Sequence, residues 1–275
     1  MPHVPTLMAV HAHPDDESSS TGGILARYAD EGMRTIVVTC TNGEYGDAPG
    51  GIKPGEPGHH PEAVARIRRT ELERACALLE VDHVELLGYH DSGMADWQFR
   101  DDPEAFCNVP IGDAATRLVQ LFEEHRPDIV VTYADDAGYD HPDHVQTTRV
   151  TMAALERSNI PRKGYWSLIR ASSFIRFREF LVEQGVDFDL PEPAPEIVAR
   201  MRQLEGRITT TIDVHGYVDR KRDALREHAS QIDESFFAKL PPDAFRSIFA
   251  EEDFIRIRDT TGASEPEDDM FSGLR

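Results

Sequence analysis

The segment "HAHPDDE" at 11–17 sets two histidines, two aspartates and a glutamate within seven positions, directly after the apolar run "TLMAV". His13 and Asp16 stand three residues apart, where a strand gives way to a helix. That spacing can turn both side chains toward one point. Imidazole nitrogen and carboxylate oxygen both suit Zn²⁺, and a catalytic zinc site takes three protein ligands and keeps a position for water. A second cluster, "HPDH" at 141–144, repeats the i, i+3 relation with His141 and His144. Aspartates before helices also serve as N-caps, and Asp15 or Asp16, and Asp140 or Asp143, fit that role. Capping leaves the paired histidines and the Asp-Asp doublet without a reason.

The elements that must position these clusters are legible from hydrophobic periodicity. A continuous apolar run at 6–12 reads as a strand covered on both faces, and 34–41, 83–89 and 128–134 read as three further strands. Helical spacing spans 19–32, 61–81, 111–127 and 141–158, with Pro61 suited to a first helical turn. This β-α-β-α order predicts an α/β fold: a Rossmann-like, doubly wound, mostly parallel sheet. Ligands bind beyond the carboxyl ends of such strands, and "HAHPDDE", "DSGM" (91–94) and "DDAGYDHPDH" (135–144) all fall there. Residues 1–160 read as the metal-binding core and 161–275 as a smaller α+β extension packed on it. Residues 260–275, polar and acidic, are expected to be mobile. The Gly- and Pro-rich stretch 42–60 and the stretch 92–110 read as loops walling a substrate pocket.

Composition narrows the function classes. Net charge is −21, from 50 acidic and 29 basic residues among 275, so phosphate backbones are repelled and nucleic acid is an unsuitable partner. No run of 18 apolar residues predicts a membrane span, and "MPHVPTLMAV" lacks a signal-peptide pattern; a cytoplasmic protein is expected. The three cysteines, Cys40, Cys76 and Cys107, are widely spaced, which speaks against disulfides or a thiolate metal site. Oligomeric state is left open, a homo-oligomer included.

With "IRRTEL" (67–72), "GYHDSG" (88–93), "TNGEYG" (41–46) and "KRDALREHASQ" (221–231) in order between and after them, "AHPDDE" and "HPDH" resemble the LmbE/PIG-L family of zinc-dependent de-N-acetylases and amidases. Within it, the motifs are most similar to the mycothiol S-conjugate amidases and their biosynthetic deacetylase relatives. The resemblance implies one Zn²⁺ per chain on His13, Asp16 and His144. It implies Asp15 as general base toward the attacking water, and His141 facing the carbonyl oxygen, protonated and held by Asp143. Arg68, Asp91 and Tyr139 fall at sugar-contacting positions. The implied reaction is hydrolysis of an amide on an amino-sugar substrate, a mycothiol conjugate, a related N-acyl glucosaminide or a specialised metabolite.

Other classes fare worse. A two-metal phosphoesterase needs more ligands and a basic cluster. A nucleotide-binding module would carry G-x-G-x-x-G after the first strand. A metal-holding protein without catalysis would not need Asp15 and His141. His228 and Gln231, one helical turn apart, either approach the site or anchor their helix.

Overall fold

The computed structural model describes residues 3–134, 141–183, 193–232 and 240–275. Its strands are β1 (Thr6–His11), β2 (Arg34–Thr41), β3 (His83–Tyr89), β4 (Ile129–Tyr133), β5 (Lys163–Leu168), β6 (Thr210–Asp213) and β7 (Glu251–Asp259). They form one sheet in the order β3-β2-β1-β4-β5-β7-β6. β1 pairs in parallel with β2 and β4, β2 with β3, and β4 with β5; β7 runs antiparallel to β5 and β6. The sheet is α/β and mostly parallel, as expected. Its order reverses between β1 and β4, the place where such sheets open a crevice for ligands.

Side chains of the central strands alternate between two cores. Leu7 and Ala9 of β1, Val37 of β2 and Ile129 and Val131 of β4 pack on one face. There they meet Ile24 and Leu25 of α1 (Asp16–Asp30) and Leu72 and Ala75 of α2 (Pro61–Leu78). Met8, Val10, Ile36, Val38 and Val130 face the other way, onto Leu118 and Phe122 of α3 (Ile111–His125) and Val150 and Ala154 of α4 (Pro142–Arg157). A strand covered on both sides is apolar at every position, which is why "TLMAV" has no polar alternation.

Residues past 160 extend the same sheet. β5 escapes the hydrophobic pattern because it opens with Lys163. That lysine is fully buried, with Nζ 2.5 Å from Glu267 Oε1 and 3.1 Å from the Met270 carbonyl. After β5 come α5 (Ala171–Glu183), α6 (Pro195–Glu205), α7 (Val218–Glu227), α8 (Ala229–Ile232) and α9 (Pro242–Ile248). α7 contributes Ala224 to the first core.

Part of the 260–275 segment, expected to be mobile, packs on the sheet. Met270 and Phe271 are fully buried in the first core, and the Met270 N–H donates to Tyr28 Oη at 2.8 Å. Polarity misled because Glu267 is buried with partners of its own: Lys163, Tyr165 at 2.8 Å and Thr210 at 3.1 Å. None of the described helices is long and apolar enough to cross a membrane.

Candidate active site

β1 ends at His11, and α1 begins at Asp16, three residues earlier than its apolar spacing suggests. The turn between them carries His13, Pro14 and Asp15. Asp15 occupies the N-cap position, yet its side chain makes no capping bond, and its backbone sits at φ 119°, ψ −28°. Capping therefore does not account for Asp15. At α4 the cap is His141, whose Nδ1 accepts from the Asp143 N–H at 3.2 Å.

The neighbouring strands β1 and β4 bring the two clusters together. His13 Nδ1 lies 3.6 Å from Asp16 Oδ2, and His144 Nε2 lies 3.5 Å from Asp16 Oδ1. One donor atom from each of the three lies within 4.8 Å of the others, so these residues could hold an ion. The far nitrogen of His13 also fits: Nε2 lies 3.4 Å from Asp143 Oδ2 and 3.5 Å from Asp91 Oδ1. A ligating imidazole usually gives its other N–H to such a carboxylate. Asp16 is fixed in turn by the His13 N–H, which donates to Oδ2 at 2.8 Å.

Electrostatics follows burial and neighbours. Burial pushes His144 down to about 4, against the pull of Asp16, leaving a neutral ring able to ligate. Burial alone would raise Asp16, but His144 and His13 hold it well below the usual carboxylate range. Burial pushes Asp15 up to about 6 even though the Arg68 guanidinium opposes it.

His141 departs from expectation. Burial, then His13 and His144, push it down to about 2. The Asp143 carboxylate bonds to His13 and to the Ser92 N–H, at 2.8 Å, and its backbone N–H donates to His141 Nδ1. With Nδ1 accepting, the neutral ring carries its proton on Nε2.

Arg68 and Asp91 are both at the site and both committed. Arg68 donates to Asp15 Oδ2 (3.0 Å), the Pro14 carbonyl (2.6 Å) and the Gly43 carbonyl (2.8 Å). Asp91 accepts from the Gly93 N–H (2.7 Å) and the Tyr45 N–H (3.3 Å) while facing His13. Tyr139 and Asp140 lie outside the described residues.

Sequence reasoning missed Tyr133. Its ring stacks on His144 at 4.3 Å, and its oxygen accepts the Ala12 N–H at 2.8 Å; its place at the end of β4 was the available signal. His11, set aside as a core histidine, bonds Thr21 of α1 at 2.9 Å. A further group, His83, Glu85 and His125, lies at β3 and the end of α3. Both Nε2 atoms face Glu85 Oε1, and Arg34 donates to His125 Nδ1. That pattern is a hydrogen-bonded cluster rather than a donor set turned to an ion.

The family model described as PIG-L, GlcNAc-PI de-N-acetylase, matches residues 8–155, the span that holds every residue of this site. A relative from Acidothermus cellulolyticus, named 1D-myo-inositol 2-acetamido-2-deoxy-alpha-D-glucopyranoside deacetylase, is 36% identical over 98% of this chain and 96% of its own. Among solved structures, the N,N'-diacetylchitobiose deacetylase of Pyrococcus horikoshii superposes with a TM-score of 0.57 at 19% identity, covering 92% of this chain and 83% of that one. GalB, a 4-carboxy-2-hydroxymuconate hydratase from Pseudomonas putida KT2440, gives 0.62 at 16% identity, covering 95% and 99%. The two structures share the fold; it is the match across 8–155 and the identity along nearly the whole chain that assign the lineage. The chain belongs to the PIG-L family of de-N-acetylases.

Proposed function

We infer that the chain hydrolyses the acetamide of an N-acetylglucosaminide, with one zinc ion held by His13, Asp16 and His144. The substrate named for the Acidothermus relative, in which the sugar is joined to inositol, is the first candidate. The observation that carries the reading is a three-donor group beside a separate carboxylate, Asp15, whose acidity burial has moved toward neutrality.

Zinc on two imidazoles and a carboxylate would supply an acidified water and a Lewis acid for the amide carbonyl. Asp15, with a pKa raised to about 6, suits a base working near neutral pH. It takes a proton as water attacks and returns it to the departing amine, so the products are acetate and the free amino sugar. His141 donates its Nε2–H toward the carbonyl oxygen as negative charge develops there. Neutral, it does this as a hydrogen-bond donor. Asp143 and Asp91 fix the His13 ring, and Arg68 holds the Asp15 carboxylate.

The test is release of acetate from N-acetylglucosaminyl inositol after chelation and reconstitution with zinc, cobalt, iron or manganese. Zinc-dependent release, lost in Asp15→Ala and His144→Ala, is expected. Full activity of both variants, or of the chelated protein, defeats the reading.

A further inference from the structure

The turn after α7 reaches toward Asp15 by three routes. His228, fully buried, places Nε2 2.7 Å from Glu17 Oε1. Glu17 is fully buried too, and its other oxygen accepts the backbone N–H of Asp15 at 3.0 Å. Ser230 donates from its N–H (2.9 Å) and its hydroxyl (2.7 Å) to Glu71, which follows Arg68 by one turn of α2. Gln231 pairs with the backbone of Asp47, at 3.1 and 3.0 Å, in the loop whose Gly43 carbonyl accepts Arg68. The backbone of Asp15 is thus gripped through Glu17, which His228 holds, and its carboxylate through Arg68.

The grip has something to oppose. A non-glycine residue at φ 119° is strained and stays there only where its surroundings fix it. Glu17 is the side chain that bonds the Asp15 N–H, and it sits on α1 directly after the Asp-Asp doublet. A carboxylate in a fully buried place needs a charge-matched or hydrogen-bonding partner, and His228 provides one from the far end of the chain.

We propose that Glu17, locked by His228, is a positioning residue for Asp15: it fixes the strained backbone that aims the Asp15 carboxylate and touches no reacting atom. The proposal rests on Asp15 being the proton acceptor of the preceding section.

A double-substitution cycle on the zinc-loaded full chain tests it, with N-acetylglucosaminyl inositol as substrate. Glu17→Ala is expected to lower kcat roughly 10- to 100-fold, the usual cost of losing an outer partner at such a site, with KM within about twofold. In the Asp15→Ala background the same change is expected to remove less than about twofold more, because residues acting as a unit are not additive. Glu17→Gln, which keeps an oxygen for the Asp15 N–H, is expected to restore most of the rate. Equal losses in both backgrounds, or a loss confined to KM, overturn the proposal. If Glu17→Ala does not fold, His228→Gln carries the same cycle with the same outcomes. An unchanged kcat in Asp15→Ala alone overturns the base assignment and this proposal with it. Additive losses beside a crippled Asp15→Ala overturn only the positioning role.

Discussion

Arg68 Nη2 lies 3.0 Å from Asp15 Oδ2 and 2.6 Å from the Pro14 carbonyl, so one buried guanidinium holds both the carboxylate and the turn that presents it. Its charge opposes the burial that raises Asp15 to about 6. In Arg68→Met that opposition is gone, the Asp15 pKa rises, and less of the base is ionised at a given pH. The acid limb of the pH–kcat profile is therefore expected to move to higher pH, with kcat well above it less affected. A limb that stays put or moves toward acid contradicts Asp15 as the titrating base.

Metal retention and chemistry separate by residue. On the proposed metal site His144→Ala removes one of three donors, and the metal measured per chain by mass spectrometry is expected to fall well below one. Asp15→Asn leaves the three donors in place. It is expected to keep its metal while kcat drops about 10²–10⁴-fold, the range for a lost general base. Loss of metal from Asp15→Asn would move Asp15 into the ligand set.

Gly43 has φ +65°, and a Cβ built there would sit 2.5 Å from Arg68 Nη1. Gly43→Ala must carry left-handed strain of about 1–2 kcal/mol and also push the guanidinium off Asp15. A fall in both melting temperature and kcat is expected. An active, unshifted protein would mean that Arg68 has room to move without disturbing Asp15.

At the other end of the sheet, Glu267→Ala leaves Lys163 fully buried beside the Met270 carbonyl and without its carboxylate. Removing one partner of a buried ion pair costs roughly 3–5 kcal/mol, so a marked drop in the denaturation midpoint is expected. The site lies elsewhere on the sheet, and kcat of the folded fraction should hold. An unchanged midpoint would show that the segment after β7 adds little to the sheet it covers.

The sequence made the parallel core readable because its central strands β1, β2 and β4 carry long apolar runs and its helices keep a regular period. β5 was hidden by Lys163, whose charge is cancelled by Glu267, a residue 104 positions away that no local window contains. The same pairing turned an acidic segment into buried structure. At the site, residue types and spacing picked out His13, Asp16, His141 and His144, since few other roles need that set. What spacing could not give was direction. The Asp143 carboxylate faces His13, and Arg68 spends its donors on Asp15 and two carbonyls. Those choices depend on how β1 and β4 are set side by side, which only the assembled sheet fixes.

His13 and Asp16 leave one strand and His144 follows its neighbour, so the donors stand at positions 13, 16 and 144 of the chain. They meet only after β1 and β4 have paired. An ion seated there would act as a clasp on a finished sheet rather than a seed for it, closing a long loop whose ends the pairing has already brought together. Chelation should then loosen the whole parallel core at once, and a chain cut short of β4 should bind the ion no better than a free peptide.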